Sequence, residues 1–176
     1  MSQELISPET VTVDKLHALF DAALFKVSRE DGSEALKIAG EQVLWVVLIE
    51  SKRHLRYVGM FAIPDGPDTG ERLALANRIN DHLMSIRAAV SGDQKDRLCL
   101  DHYVSLDGGV TSRNIALAFK QFEELVAAAI QEVRAALADA DRAKIAERQK
   151  SSFPESSTTS DKAMLASPPS PRFRQF

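Results

Sequence analysis

The chain is poor in the residues and runs that announce chemistry. Its 176 residues include one cysteine, Cys99, so an intrachain disulfide and a cysteine-based zinc cluster are both excluded. A reducing compartment suits such a chain. It has no basic surplus either, because 22 Lys and Arg stand against 25 Asp and Glu, for a formal net charge of −3. Affinity for nucleic acid rests on cations that neutralise phosphates, so no nucleic-acid partner is expected. Long hydrophobic runs are missing: the longest, Val43 to Ile49, has seven residues, whereas a membrane span needs about 20. Met1-Ser2-Gln3-Glu4-Leu5-Ile6-Ser7-Pro8 lacks the basic segment and apolar core of a secretion signal. These absences lead us to expect a soluble cytoplasmic protein that neither enters nor anchors to a membrane. Neither Gly-Lys-Ser/Thr nor Gly-x-Gly-x-x-Gly occurs, so no nucleotide loop is indicated.

What is there is hydrophobic patterning. Val13, Leu16, Phe20, Ala23 and Leu24 recur at helical spacing and predict a helix from about Val13 to Leu24, with Thr10 or Thr12 as its cap. Strands follow at about Ala35 to Ala39, Val43 to Glu50 and Leu55 to Ile63. Gly40-Glu41 and Ser51-Lys52-Arg53-His54 are short enough to be hairpin connections. The middle strand is apolar on both sides, with Val43, Trp45, Val47 and Ile49 on one and Leu44, Val46 and Leu48 on the other. A half-solvated strand alternates, so each face of this one calls for a cover, from helices of the chain or from a partner subunit.

After the turn cluster Pro64-Asp65-Gly66-Pro67-Asp68, the residues Leu73, Ala76, Ile79, Asn80 and Leu83 predict a short helix that starts near Asp68 or Thr69. A hairpin comes next: Ser85 to Val90, the turn Ser91-Gly92-Asp93-Gln94-Lys95, and Arg97 to Leu106. Its second arm alternates cleanly, Leu98, Leu100, His102, Val104 and Leu106 against Arg97, Cys99, Asp101, Tyr103 and Ser105. Asp107-Gly108-Gly109-Val110-Thr111 then leads into the longest apolar stripe, Ile115, Phe119, Phe122, Val126, Ala129, Ile130, Val133 and Leu137. Thr111 suits the N-cap, and Val110 with Ile115 occupies the hydrophobic-staple positions. An alanine-rich, polar continuation reaches Ala146.

The domain reading is a flexible N-terminus over 1–11, an α+β domain over 12–140, a polar helix extension over 141–150 and a Ser/Pro-rich tail over 151–176. The tail cannot bury enough apolar surface to offset about 1–2 kcal/mol of ordering entropy per residue, and disorder is expected there. Its last residues, Arg172-Phe173-Arg174-Gln175-Phe176, alternate basic and aromatic side chains. A short docking motif and a plain disordered end are both readings of that pattern.

The order of elements, the run Leu75-Ala76-Asn77-Arg78-Ile79-Asn80 and the junction Leu106-Asp107-Gly108-Gly109-Val110-Thr111 together resemble the bacterial YbjN-like family. The resemblance covers about Leu16 to Leu137. It implies a fold similar to type III secretion chaperones: α+β, an antiparallel sheet of about five strands packed by helices in the order α-β-β-β-α-β-β-α, usually dimeric. Members are described as sensory-transduction regulators and as chaperones or adaptors. The resemblance brings no catalytic residues, and it makes Asn77, Asn80 and Asp107-Gly108-Gly109 structural.

Sharper chemical readings are weaker than plain ones. Asp107-Gly108-Gly109 before a helix resembles an anion cradle, but glycine's access to positive φ makes it a turn. Asp81-His82 and Asp101-His102 suggest a metal or acid–base site. A symmetric hairpin pairing positions that sum to about 187 sets His102 opposite Ser85, roughly 10 Å from His82 at about 3.3 Å per residue, too far for one metal. Cys99 and His102 leave their strand by opposite faces, which excludes a Cys–His dyad within it, and Cys99 reads as a small buried residue. The expectation is therefore a non-enzymatic, homodimeric protein-binding module with a protein partner or client, no cofactor, no metal and no catalytic residue. Its candidate surface is the strand pair Val43 to Ile63 with its flanking helices. The alternative is a small-ligand sensor or enzyme with a pocket beside the Asp107-Gly108-Gly109 turn.

Overall fold

The first helix, α1 (Val13–Ala22), starts where Thr12 accepts a hydrogen bond from the amide of Lys15 at 3.1 Å, the bond expected of an N-cap threonine. It stops two residues before the apolar stripe does. Leu24 has φ +65° and is 92% exposed, while the amide of Phe25 reaches back to the carbonyl of Phe20 at 3.0 Å. This is a Schellman stop with leucine in the left-handed position. Leu24 thus leaves the stripe, and Phe25 takes its place by stacking edge-on against Phe20 and Phe119.

The computed structural model describes residues 5–30, 32–49, 53–92 and 96–152, with side chains described up to 148. The centre of the hairpin turn at 93–95, the tail from 153 onward and the Arg172–Phe176 motif lie outside the described residues. β1 (Leu5–Ile6) pairs with β8 (Val110–Thr111) as a small ribbon. The other six strands are β2 (Lys26–Arg29), β3 (Ala35–Ala39), β4 (Val43–Leu48), β5 (His54–Ala62), β6 (Arg87–Ser91) and β7 (Arg97–Ser105). They form one antiparallel sheet in the order β2-β3-β4-β5-β7-β6. The architecture is α+β as expected, with one more sheet strand than the five expected. β2, Lys-Val-Ser-Arg, shows no apolar alternation because it is a short edge strand with charged side chains, a form that discourages pairing with other chains.

α2 (Thr69–His82) opens with a complete capping box, in which Asp68 accepts from the Glu71 amide and Glu71 accepts from the Asp68 amide, both at 2.8 Å. Its buried residues are Leu75, Ala76 and Ile79, whereas Leu73 lies exposed. The buried stripe starts at Leu75, two positions after the Leu73 expected. α3 (Ser112–Ser152) is capped by Thr111, whose hydroxyl accepts from the Asn114 amide at 3.2 Å.

The chain divides between Asp139 and Ala140. In the first unit a single core holds Leu16 and Phe20 of α1, Ala76 and Ile79 of α2, and Ile115, Phe119, Phe122, Val126 and Ala129 of α3. Against them lie Leu36, Ile38, Leu44, Val46, Leu48, Leu55, Tyr57, Ala88, Leu98 and Leu100 of the sheet. In the second unit, residues 141–148 of α3 are exposed.

Candidate docking surface

Strand pairing sorts every sheet residue onto one of two faces. The core residues of the sheet all share one face, and the three helices are packed there. The helix residues of that core pack on this face, and none of them on the opposite face. Its rows run across the strands: Lys37, Trp45, Val58, Asp101 and Arg87 in one, and Val47, Arg56 and Tyr103 in the next. Below them come Ala39, Val43, Met60, Cys99 and Ala89. The two-sided apolar character of β4 is thus resolved. Leu44, Val46 and Leu48 are buried under helices, while Val43 is exposed and Trp45 and Val47 are half-buried.

On β7, one strand in from the edge of this open face, sits the one charged side chain buried among the described residues, Asp101, at 2% exposure. Arg56 donates to its Oδ2 through Nη2 at 2.7 Å and Nε at 3.2 Å. Arg87 donates through Nε to Oδ1 at 3.0 Å and through Nη2 to Oδ2 at 2.7 Å. Burial by itself raises the Asp101 carboxyl, but the hydrogen bonds from Arg87 and Arg56 outweigh it and hold the group below the usual carboxylate range. The same two guanidiniums flank the Tyr103 ring, 5.8 and 5.7 Å from its centroid, within cation–π range. Three strands thereby deliver a rigid Arg–Asp–Arg clamp with an aromatic ring between its arms.

Charge on the open face is one-sided. Lys26, Lys37, Arg56, Arg87 and Arg97 point to it from five strands, against the single carboxylate of Asp101 among the described residues of those strands. The acidic balance of the whole chain concealed this patch.

The residues singled out in the sequence are placed elsewhere or in other roles. Asn80 donates to the Ala88 carbonyl at 3.0 Å and accepts from the Ala88 amide at 2.7 Å, locking α2 to the edge strand β6. Asn77 is exposed. Gly108 and Gly109 take φ +79° and +84°, a backbone that glycine adopts without strain. Asp107 pairs with Arg53 at 3.0 Å, and a Cβ on Gly109 would lie 3.3 Å from that of Leu5. The turn's carboxylate is thus taken by Arg53, and Leu5 of the β1 ribbon lies against Gly109. His82 faces Glu132 at 3.6 Å, and His102 Nδ1 meets the Ser85 carbonyl. Among the described residues no group of three or more His, Cys, Asp or Glu is arranged to hold a metal.

Cys99 is half-buried on the open face rather than in the core. Burial pushes its thiol up in pKa, although Arg56 stands 3.8 Å from Sγ.

Three clefts stand out, and none of the three is lined by the Asp107-Gly108-Gly109 turn. The largest, of about 550 Å³, is an apolar groove between α1 and the start of α3, with Leu19, Phe25, Ala116 and Leu117 on its walls. No helix is long and apolar enough to cross a membrane among the described residues.

Comparison with known proteins agrees with this architecture. The family model described as "YbjN: Putative bacterial sensory transduction regulator" matches residues 12–135. The crystal structure of YbjN from E. coli, described as a putative transcription regulator, superposes with a TM-score of 0.64 at 19% identity, over 75% of this chain and 96% of that one. The Yersinia pestis type III secretion chaperone SycH, solved with a fragment of YscM2, gives 0.47 at 16% identity over 68% and 98%. The HopA1–SchA chaperone–effector complex gives 0.46 at 9% identity over 70% and 91%. No curated protein matches the chain.

Proposed function

The chain belongs to the YbjN family, and from that premise we propose that it is a non-enzymatic protein-binding module, a regulatory adaptor that acts as a cytoplasmic homodimer. The observation that carries the reading is that the helical core of the first unit packs on one face of the sheet and leaves the other outside it. The sheet's other face carries Trp45, Val43, Met60 and Tyr103 together with the Arg–Asp–Arg cluster, in which Asp101 is buried and the arginines reach solvent. A contiguous apolar patch bordered by charge is the mark of an interaction surface. Trp, Tyr, Met and Arg are the residues enriched at the centres of protein interfaces. The strand pair Val43 to Ile63 supplies the middle of that surface. The domain so proposed spans 12–140, with 141–150 as a polar helical extension and 151–176 as an appended tail.

The second copy in this reading sits on the apolar groove between α1 and α3. There Leu117 stands exposed beside Leu19 and Phe25, and Lys120 is balanced by Glu123 at 3.5 Å. A mainly apolar patch, with Arg113 and Lys120 at its border, suits a twofold contact, the commonest symmetry of homo-oligomers.

Light scattering on the full chain checks the dimer. The expected mass is twice the 19.4 kDa of one chain, falling to that of one chain in Leu117→Arg. A strictly monomeric wild type removes the dimer from the reading. Crosslinked pull-down from the native cell checks the protein partner, and a bait that retains no protein overturns the binding function.

A further inference from the structure

Resting on the reading of the open sheet face as a docking surface, we propose that its occupant is an acidic protein segment anchored by apolar side chains. The segment lies across the strands and bears carboxylates at both ends of an apolar stretch.

The argument starts from the row Lys37, Trp45, Val58, Asp101 and Arg87. Cations stand at its two ends, and Trp45, Val58 and the arginine-clamped Asp101 lie between. Lys37 and Arg87 are four strand spacings apart, roughly 19 Å at about 4.8 Å per spacing. About 13 residues of helix at 1.5 Å each, or about six of extended chain at 3.3 Å each, cover that span. Met60, 46% exposed, and Tyr103, 43% exposed, offer apolar seats beside the row.

The clamp makes the site more than a basic patch. Asp101 holds Arg56 and Arg87 in place before any partner arrives, so little side-chain entropy is left to lose on binding. Arg56 and Arg87 remain 31% and 62% exposed, and each presents its guanidinium beside the Tyr103 ring. An incoming carboxylate completes a network that already carries more positive than negative charge.

Two other occupants suit the face less well. A second copy meeting it about a twofold axis would set Lys37, Arg56 and Arg87 against cations of the same kind, an arrangement that like charges oppose. A nucleic-acid strand crossing the face would set its phosphates over Val58, Val43 and Met60, apolar groups that offer them no donor.

The test uses the full chain as target for a displayed library of random 20-residue peptides. We expect selected peptides to carry acidic residues on both sides of apolar or aromatic ones. Their affinity should fall about tenfold in Arg87→Gln and in Lys37→Glu, more than most single interface residues cost, and weaken further as salt rises. Lys37 is exposed and makes no contact with Asp101, so its variant answers the question even where Arg87→Gln folds poorly.

Selected peptides without acidic bias, or peptides indifferent to Lys37→Glu and Met60→Ala, overturn the inference and leave a protein-binding module that uses another surface. A library that yields no binder, alongside an empty pull-down, removes the protein-binding reading with it. Binding of an oligothymidylate that Lys37→Glu abolishes assigns the face to nucleic acid and overturns the proposal. A dimer that Lys37→Glu alters and Leu117→Arg leaves intact does so in favour of a second copy.

Discussion

Tyr57 donates its phenolic hydrogen to the carbonyl of Ile115 at 2.9 Å, and this one bond ties the central strand β5 to the first turn of α3. Around it the Tyr57 ring meets Phe119 and Phe122 at centroid distances of 5.2 and 5.9 Å. Burial pushes the phenol up in pKa, so it stays a donor throughout the neutral range. Tyr57→Phe keeps the ring contacts and removes the bond. The loss expected is about 1 kcal/mol, the usual net worth of a buried hydrogen bond. Urea unfolding measures it, and an unchanged midpoint would show that the bond contributes nothing.

Asn80 is the more sensitive of the two asparagines in the Leu75–Asn80 run. Asn80→Ala removes both bonds to Ala88 and should cost about 1–2 kcal/mol, less a few tenths regained from alanine's helix preference. Hydrogen exchange localises the effect, since the Ala88 amide should lose protection first. Asn77→Ala, at an exposed position, should fall within about 0.5 kcal/mol of wild type.

Leu24→Gly should stabilise the protein. Leucine at φ +65° carries a steric cost of roughly 1–2 kcal/mol, against which glycine's extra freedom in the unfolded chain returns about 0.5–1 kcal/mol. The side chain is 92% exposed, so no packing is lost. A net gain of about 0.5–1 kcal/mol is expected in the midpoint of thermal unfolding, and a loss would mean that Leu24 is covered in the protein as it exists in solution.

The long stripe from Ile115 and the alternation of β7 were legible in the sequence because each buries one face against the same core, whereas the apolar residues on both sides of β4 hid which of its faces the helices cover. The Thr111 cap and the staple pair were legible because capping is local. The docking surface was not, since Arg56, Asp101 and Arg87 come together only through strand pairing. A hairpin sum of 187 faces Arg87 with Leu100, whereas the observed pairs sum to 188 and face it with Asp101. The signal was available: 187 sets a charged side chain on the face of an apolar one, and a one-residue slip reverses every side chain. Leu24 misled for another reason, because glycine is the usual residue at a Schellman stop and leucine there reads as one more apolar position.

Asp101 supplies the last prediction, one in pH. Its folded carboxyl lies below the ordinary value, held there against burial by Arg87 and Arg56. A carboxylate so depressed contributes stability that is fully present above the unfolded value of about 3.9 and is lost as pH falls through the folded value. Asp101→Asn keeps the shape and removes the charge. With Arg87 mostly hydrated, the cost at pH 7 should be about 1–2 kcal/mol. Other carboxylates titrate alike in both proteins, so the difference between wild type and Asp101→Asn isolates this group. That difference should hold level from pH 7 to about 5 and shrink as pH drops below about 4. Paired urea titrations across that range read it directly. A difference that stays flat down to pH 3, or widens, would mean that the two arginines do not hold Asp101 charged, and the clamp would then be no prearranged receptor for an acidic partner.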